Sequence, residues 1–177
     1  MGGAAIRQRP ASAPVAAGAD GRTWAAHAAA VWAFAFAALS FYWAAGGTIG
    51  LAAVGGTIEG TARSHEWFTS IVSLTALAKA VGGMLALSLV RTWGERIPRT
   101  VRLAASTAAG ALLAVYALLN LGARALQAVG IVATPASMHS AAAWWHLLLW
   151  DPWFLAGGVL FLAAAWQFHL ASRRERA

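Results

Sequence analysis

The chain contains no cysteine, so it can form neither disulfide bonds nor thiolate-ligated metal sites. Charged residues are also scarce, at 11% of the total, and the polar segments are too short to form a separate soluble domain. Hydrophobic residues instead make up 60% of the 177 positions. Several apolar runs reach about 20 residues, the length that a helix needs to cross a bilayer. These features indicate an integral membrane protein with one compact domain.

Four apolar runs predict an all-α bundle of four transmembrane helices. We place the spans at Trp24–Ala45, Trp67–Val90, Val101–Leu121 and Pro152–His169. The membrane domain then covers residues 23–171, between a flexible tail of residues 1–22 and a basic tail of residues 172–177. The first run continues too long for the apolar core of a cleaved signal peptide, so we expect the first helix to be retained.

Basic residues are distributed unevenly over the segments that flank these spans. Ten arginines lie on the side that carries both tails and the middle loop, whereas Arg63 and Arg124 lie on the opposite side. Short loops rich in arginine face the cytoplasm, so we expect both termini to be cytoplasmic. Five tryptophans near predicted span ends fit a position in the headgroup layer: Trp24, Trp67, Trp93, Trp150 and Trp153.

Two stretches on the outer side are not accounted for by a bundle of four simple transmembrane helices. Residues 46–63 contain six glycines among apolar residues, a composition suited to close backbone approach or a shallow re-entrant turn. Residues 138–150 contain three tryptophans and two histidines, which is consistent with an interfacial helix. The sequence therefore adds an outer Gly-rich loop and an outer interfacial helix to the bundle.

Asp151 and Pro152 can begin the fourth span in two ways. An aspartate at the N-cap followed by proline at the first helical position is a frequent helix start, and we favour this interpretation. In the alternative, a helix runs on from Ser140 and is kinked at Pro152. That arrangement would place Asp151 at a membrane depth similar to that of Lys79.

Lys79 lies near the middle of the second span, whereas every other basic residue lies at or beyond the end of a span. A charge at this depth is costly and normally faces the bundle interior or a wet cavity. Gly82 and Gly83 share its helical face and would let a neighbouring helix approach. We therefore expect the ammonium to point inward, either in a structural ion pair with Asp151 or Glu59 or as part of a functional site.

Polar residues collect in the outer half of the predicted bundle. Along the third span and just beyond it, one polar stripe at helical spacing is formed by Tyr116, Asn120, Arg124 and Gln127, although Arg124 could instead extend to the headgroups. An outward-facing cavity with Lys79 at its floor would then have these candidate ligand-binding residues: Tyr42, Glu59, Lys79, Asn120, Arg124, His146 and Asp151. We predict no metal site, because His139 and His146 have neither an HExxH pattern nor a cysteine beside them.

Four segments resemble a known family: FYWAAGGTIGL at Phe41–Leu51, GGTIEG at Gly55–Gly60, LVRTWGERIP at Leu89–Pro98, and WWHLLLWDPWFLAGG at Trp144–Gly158. They are similar to small four-helix membrane proteins of bacteria with high-GC genomes, a family classed as a domain of unknown function. The resemblance covers roughly residues 24–170. It implies a four-helix fold in the bacterial plasma membrane and assigns no activity.

Two classes of function fit these observations. A non-enzymatic module would hold a small amphiphilic or lipid-like ligand, or a partner helix, in the outer cavity. An intramembrane isomerase or cyclase acting on an isoprenoid-like substrate would instead use Glu59, Asp151 or His146 as catalytic acid or base. We expect membrane lipid as a partner and no cofactor, and the sequence leaves homo-oligomerisation open. Nucleic acid is not expected, because the arginines are dispersed rather than clustered with aromatic residues.

Overall fold

The computed structural model of the chain describes residues 23–53, 66–133 and 144–174. Within these ranges the protein has no strands and four helices that are long and apolar enough to cross a membrane. They are α1 (Trp24–Ala44), α2 (Glu66–Ser88), α3 (Arg99–Ala128) and α4 (Asp151–Arg174). The predicted all-α, multi-pass membrane fold is confirmed. The predicted tail of residues 1–22 lies outside the described residues.

The helices alternate in direction, so each end of the bundle collects four helix termini. We call the end with Ala44, Glu66 and Ala128 the outer end, following the predicted topology. The end with Trp24, Ser88 and Arg99 is called the basic end. Short 3₁₀ turns follow α1 at Leu51–Ala53 and α2 at Thr92–Arg96.

Helix α1 is central to the bundle. It packs along α2 and also contacts α4, while α3 packs along α4, and α2 and α3 touch only sparingly. Contact with two neighbours accounts for the small side chains of α1, because alanine lets helix backbones approach closely in a membrane. Its buried alanines are Ala25, Ala26, Ala29, Ala30, Ala33 and Ala37.

An aromatic cluster joins α1 to α4 toward the outer end. The ring centroid of Phe36 lies 6.0 Å from that of Trp150 and 5.4 Å from that of Phe154. Trp32 stacks on Trp153 and donates a hydrogen bond of 3.0 Å to its carbonyl oxygen. Such ring pairs contribute about 0.5–1.5 kcal/mol each beyond the burial of their area. Trp150 is only 7% exposed, so its ring packs inside the protein rather than against headgroups.

Two glycines bring the backbones of α3 and α4 into contact. A Cβ atom added at Gly158 would lie 2.7 Å from the backbone nitrogen of Ala114 and 2.9 Å from the carbonyl oxygen of Gly110. A Cβ at Gly110 would likewise lie 3.0 Å from the carbonyl oxygen of Gly158. Because these neighbours are backbone atoms, they cannot rotate aside. The close approach therefore requires glycine at both positions.

A Schellman motif ends α1. Gly47 N–H donates to the carbonyl of Tyr42 at 2.9 Å, Gly46 N–H donates to that of Trp43 at 3.0 Å, and Gly46 has a φ of +93°. The Tyr42 ring covers Gly47, where a Cβ would collide with it. The same two aromatic residues hold Ile49: its N–H donates to the Tyr42 hydroxyl at 3.3 Å, and Trp43 Nε1 donates to its carbonyl at 2.9 Å. The Tyr-Trp-x-x-Gly-Gly motif thus builds the turn after α1.

Helix α3 ends at Ala128, seven residues beyond the predicted end at Leu121. Its 30 residues span about 45 Å at 1.5 Å per residue, longer than a hydrocarbon core of about 30 Å. The extension places Arg124 inside the helix, opposite α4. Hydropathy falls at Gly122 and Arg124, which is why the sequence suggests an earlier end.

Helix α4 does not begin with Asp151 as an N-cap. Residues 144 and 145 are already helical, and His146–Trp150 form a π-helical turn in which Asp151 N–H donates to the carbonyl of His146. Asp151 itself has helical angles, with φ of −64° and ψ of −45°. The wide turn precedes Pro152, which has no N–H and whose ring would clash with a carbonyl of a regular α-turn. The N-cap interpretation is therefore wrong, and the helix is continuous over residues 144–174, as in the alternative. The kink at Pro152 and the membrane depth of Asp151 stay predictions. Residues 138–143 of the proposed interfacial helix lie outside the described residues.

We expect Gly158→Ala to lower the stability of the bundle by about 1–3 kcal/mol, because the added methyl group separates two packed helices. The measurement is reversible unfolding in mixed detergent micelles, followed by circular dichroism. Gly122→Ala is the matched control, since a Cβ there meets nothing within 4 Å. Equal stability of the two variants would contradict the packing role of Gly158.

Candidate functional site

A buried ion pair joins α3 to α4 at the outer end. Arg124 Nε lies 3.2 Å from Asp151 Oδ2, and the two side chains are 18% and 1% exposed. Both side chains lie mostly inside the protein, so Arg124 does not simply extend to the headgroups. Tyr116, on the same predicted stripe of α3, also contacts α4, since its ring centroid lies 5.1 Å from that of Phe154.

Asp151 retains hydrogen-bonding capacity in this setting. The contact with Arg124 is an ion pair without hydrogen-bond geometry, and within the described residues neither Oδ1 nor Oδ2 has a hydrogen-bond partner. Leaving a buried polar atom without a partner costs about 1–3 kcal/mol, and more for a charged one. Buried carboxylates in proteins are usually both paired and hydrogen-bonded. The two carboxylate oxygens of Asp151 can therefore still accept hydrogen bonds from a further donor.

Lys79 lies at the interface of α2 and α1. Its Nζ donates a hydrogen bond of 2.7 Å to Ser40 Oγ and lies 3.9 Å from the centroid of the Phe36 ring. Ser40 is 1% exposed and donates in turn to the carbonyl of Phe36 at 3.0 Å. The ammonium therefore points inward, as predicted. A hydroxyl and the face of an aromatic ring contact it, and a cation–π contact is worth about 0.5–1 kcal/mol when exposed and about 2 kcal/mol when desolvated.

The expected ion pair between Lys79 and Asp151 is wrong. Asp151 pairs with Arg124 on α3, whereas Lys79 on α2 faces α1. The physical reason is the arrangement of the helices, because α2 packs along α1 and α4 packs along α3. The other expected partner, Glu59, lies outside the described residues.

The remaining candidates have mostly local contacts within the described residues. Tyr42 closes the turn after α1, and Asn120 Nδ2 donates to the carbonyl of Tyr116 at 2.9 Å, one turn earlier in α3. His146 begins the π-helical turn and supplies the carbonyl that accepts from the N–H of Asp151. Arg124 and Asp151 thus form a direct side-chain contact between two of the predicted site residues. A shared outward cavity and a ligand-binding role for these side chains stay predictions.

Sequence reasoning missed two residues at the centre of the bundle and one at its basic end. Ser40 and Phe36 surround the ammonium of Lys79, and Ser40 was detectable as the only serine in the first span. Arg102 was counted only as a topology signal, yet it is 8% exposed and donates to the carbonyl of Ser88 at 2.8 Å. Its burial depends on which helix faces it, and spacing along one helix does not give that information.

We expect Ser40→Ala to destabilise the protein by about 1–3 kcal/mol, because it removes the acceptor of a half-buried ammonium. Lys79→Met should restore most of that loss in the Ser40→Ala background, since the unpartnered charge is then absent. Unfolding in mixed micelles measures the double-mutant cycle. Thr75→Val serves as the control, because Thr75 Oγ1 bonds only to the carbonyl of Val72 in its own helix. Strictly additive effects would contradict the contact between Lys79 and Ser40.

Comparison with curated proteins and with solved structures finds no match for this chain. A family model does match, over residues 33–161, and is described as Protein of unknown function (DUF3995). The matched region contains most of α1, all of α2 and α3, and the beginning of α4, including the Arg124–Asp151 pair and Lys79. It also contains all four segments on which the resemblance to a four-helix family rests. The chain therefore belongs to the DUF3995 family of proteins of unknown function.

Proposed function

We propose that the protein binds a small amphiphilic, lipid-like molecule at the outer end of the bundle. In this proposal the carboxylate of Asp151 accepts a hydrogen bond from the head group of the ligand. Aromatic side chains near it, among them Tyr116 and Phe154, pack against the apolar part. Glu59 and His146 stay predicted members of the same site.

One observation carries the proposal: a side chain that is 1% exposed offers two carboxylate oxygens without a hydrogen bond among the described residues. Lipid tails supply no donor, so a donor has to come from the protein, from water or from a ligand. A ligand with a hydroxyl or amine on an apolar chain would satisfy both the carboxylate and its aromatic surroundings.

An enzymatic role is the second candidate, and the same carboxylate favours it. An oxygen that makes no hydrogen bond can accept a proton from a substrate carbon or hydroxyl, as an isomerase or cyclase on an isoprenoid-like substrate requires. The two functions differ in one measurable respect. A binding protein returns its ligand unchanged, whereas an enzyme returns an isomer or a cyclic product.

The test compares two probes in phosphatidylcholine nanodiscs, whose headgroups carry no hydrogen-bond donor. Dodecan-1-ol can donate to Asp151, whereas its methyl ether cannot. We expect dodecan-1-ol to raise the melting temperature of the wild-type protein and the ether to have no such effect. Asp151→Asn should weaken binding of dodecan-1-ol about tenfold, because it removes a charge-assisted hydrogen bond.

Glu95→Gln is the matched control, since it makes the same acid-to-amide change on an exposed residue at the basic end. Native mass spectrometry of the gently extracted protein then identifies any molecule held in its own membrane, and mass or retention-time changes on incubation would reveal turnover. Asp151→Asn protein that is folded and binds dodecan-1-ol like the wild type would refute the proposed site.

We also propose that the protein resides in the bacterial plasma membrane with both termini in the cytoplasm. The support is the distribution of arginines, four of which lie between α2 and the first turn of α3: Arg91, Arg96, Arg99 and Arg102. Positive residues in short loops remain on the cytoplasmic side.

The absence of cysteine makes this topology directly measurable by single substitutions. Ile131→Cys, at a position that is 71% exposed beyond α3, should react with a membrane-impermeant maleimide in intact spheroplasts. Arg96→Cys, an exposed position in the 3₁₀ turn after α2, should react only after the membrane is permeabilised. The reverse pattern of labelling would invert the proposed orientation.

A further inference from the structure

A polar cavity lies at the basic end, far along the bundle from Asp151. Its volume is about 380 Å³, and its walls come from the residues that follow α2, the 3₁₀ turn, the first turn of α3 and the last turns of α4. Three of its lining residues are arginines: Arg91, Arg99 and Arg102. The cavity therefore concentrates positive charge where three helices end.

Arg102 is the fixed part of this cavity. It is 8% exposed, and its Nη1 donates to the carbonyl of Ser88 at 2.8 Å, which holds the guanidinium against the end of α2. Its guanidinium carbon lies 4.7 Å from the ring centroid of Phe168, and that of Arg99 lies 5.9 Å from the same ring. In the described part of the chain, the buried Nε atoms of Arg99 and Arg102 have no hydrogen-bond partner. Two guanidinium groups thus lie beside the ring of Phe168, and the Nε–H donor of each has no acceptor among the described residues.

Within the described residues, one carboxylate accompanies the three arginines of the cavity. Glu95 is the acidic residue that lines the cavity, but it is exposed and forms no ion pair with any arginine of the described chain. Three guanidinium groups and one carboxylate leave the cavity walls with a net positive charge. Side-chain hydroxyls of Thr92 and Ser172 also line it.

The start of α3 adds to the positive potential. Its first turn contains no acidic residue and its N-cap, Pro98, offers no side-chain hydrogen bond, whereas Arg99 and Arg102 both lie in this turn. Cations at a helix N-terminus oppose the helix dipole, and an anion there is favoured by the dipole and by the free N–H groups. An anion in the cavity would reduce the repulsion between the arginines and the helix dipole, and it would accept hydrogen bonds from the N–H groups at the start of α3.

We infer that this cavity is a binding site for a phosphate oxyanion, supplied by an anionic phospholipid headgroup or by free phosphate. Guanidinium groups pair with phosphate oxygens through several N–H donors in a fixed plane. Apolar Leu89, Val90 and Phe168 line the cavity beside the arginines, which suits the junction of a headgroup with its acyl chains. The site is independent of the proposed function at the outer end.

The experiment uses the full-length protein in nanodiscs of nine parts phosphatidylcholine to one part phosphatidylglycerol. Native mass spectrometry measures which lipid remains bound when the disc is removed. We expect the wild-type protein to enrich phosphatidylglycerol, and Arg91→Gln and Arg99→Gln each to reduce that enrichment about fivefold, the effect of one basic residue near an anionic surface. Arg102 is left intact because it also supports the end of α2.

Arg96→Gln is the matched control, because Arg96 is exposed in the same 3₁₀ turn and does not line the cavity. A second arm adds inorganic phosphate, against chloride of equal ionic strength, to protein in pure phosphatidylcholine discs and records the melting temperature. Free phosphate is identified as the source of the bound oxyanion if phosphate stabilises the protein, Arg99→Gln abolishes that effect, and phosphatidylglycerol is not enriched. The inference is overturned if Arg96→Gln has as large an effect as Arg99→Gln, or if Arg99→Gln changes neither readout.

Discussion

Lipid tails offer no partner to the polar side chains inside this bundle, so its charged groups meet their neighbours across helix interfaces. Three such contacts lie at three different helix interfaces. Lys79 contacts Ser40 between α2 and α1, Asp151 contacts Arg124 between α4 and α3, and Arg102 bonds the end of α2 from α3. The last contact lies where the two helices otherwise touch sparingly. Charges that are costly in isolation therefore also fix which helices are neighbours.

Much of the fold could be predicted from the sequence, because long apolar runs permit few structures in a membrane. The predicted first span begins at Trp24 as observed and ends one residue late, and the second differs from the structure by one or two residues at each end. The errors arise where a local signal competes with a tertiary contact. Arg124 looks like a residue beyond a span, but its pairing with Asp151 allows α3 to continue.

The candidate site could be predicted only in part. Helical spacing shows which residues of one helix share a face, so the inward direction of Lys79 and the stripe on α3 were accessible. Spacing does not show which helix lies opposite. The partner of Lys79 is consequently a hydroxyl and a ring from α1, and the carboxylate of Asp151 faces α3 instead. The cavity at the basic end was missed for the same reason, since it needs three helix ends to meet.

The π-helical turn before Pro152 changes the geometry of everything that precedes it. A turn that holds one additional residue rotates the preceding side chains by about 100° around the axis, relative to a uniform helix. Trp150 thereby points into the aromatic core while Asp151 meets α3. A helical wheel drawn without interruption from residue 144 to residue 174 would assign the tryptophans at its start to the wrong side. The side-chain directions before and after this turn therefore have to be assigned with two separate helical wheels.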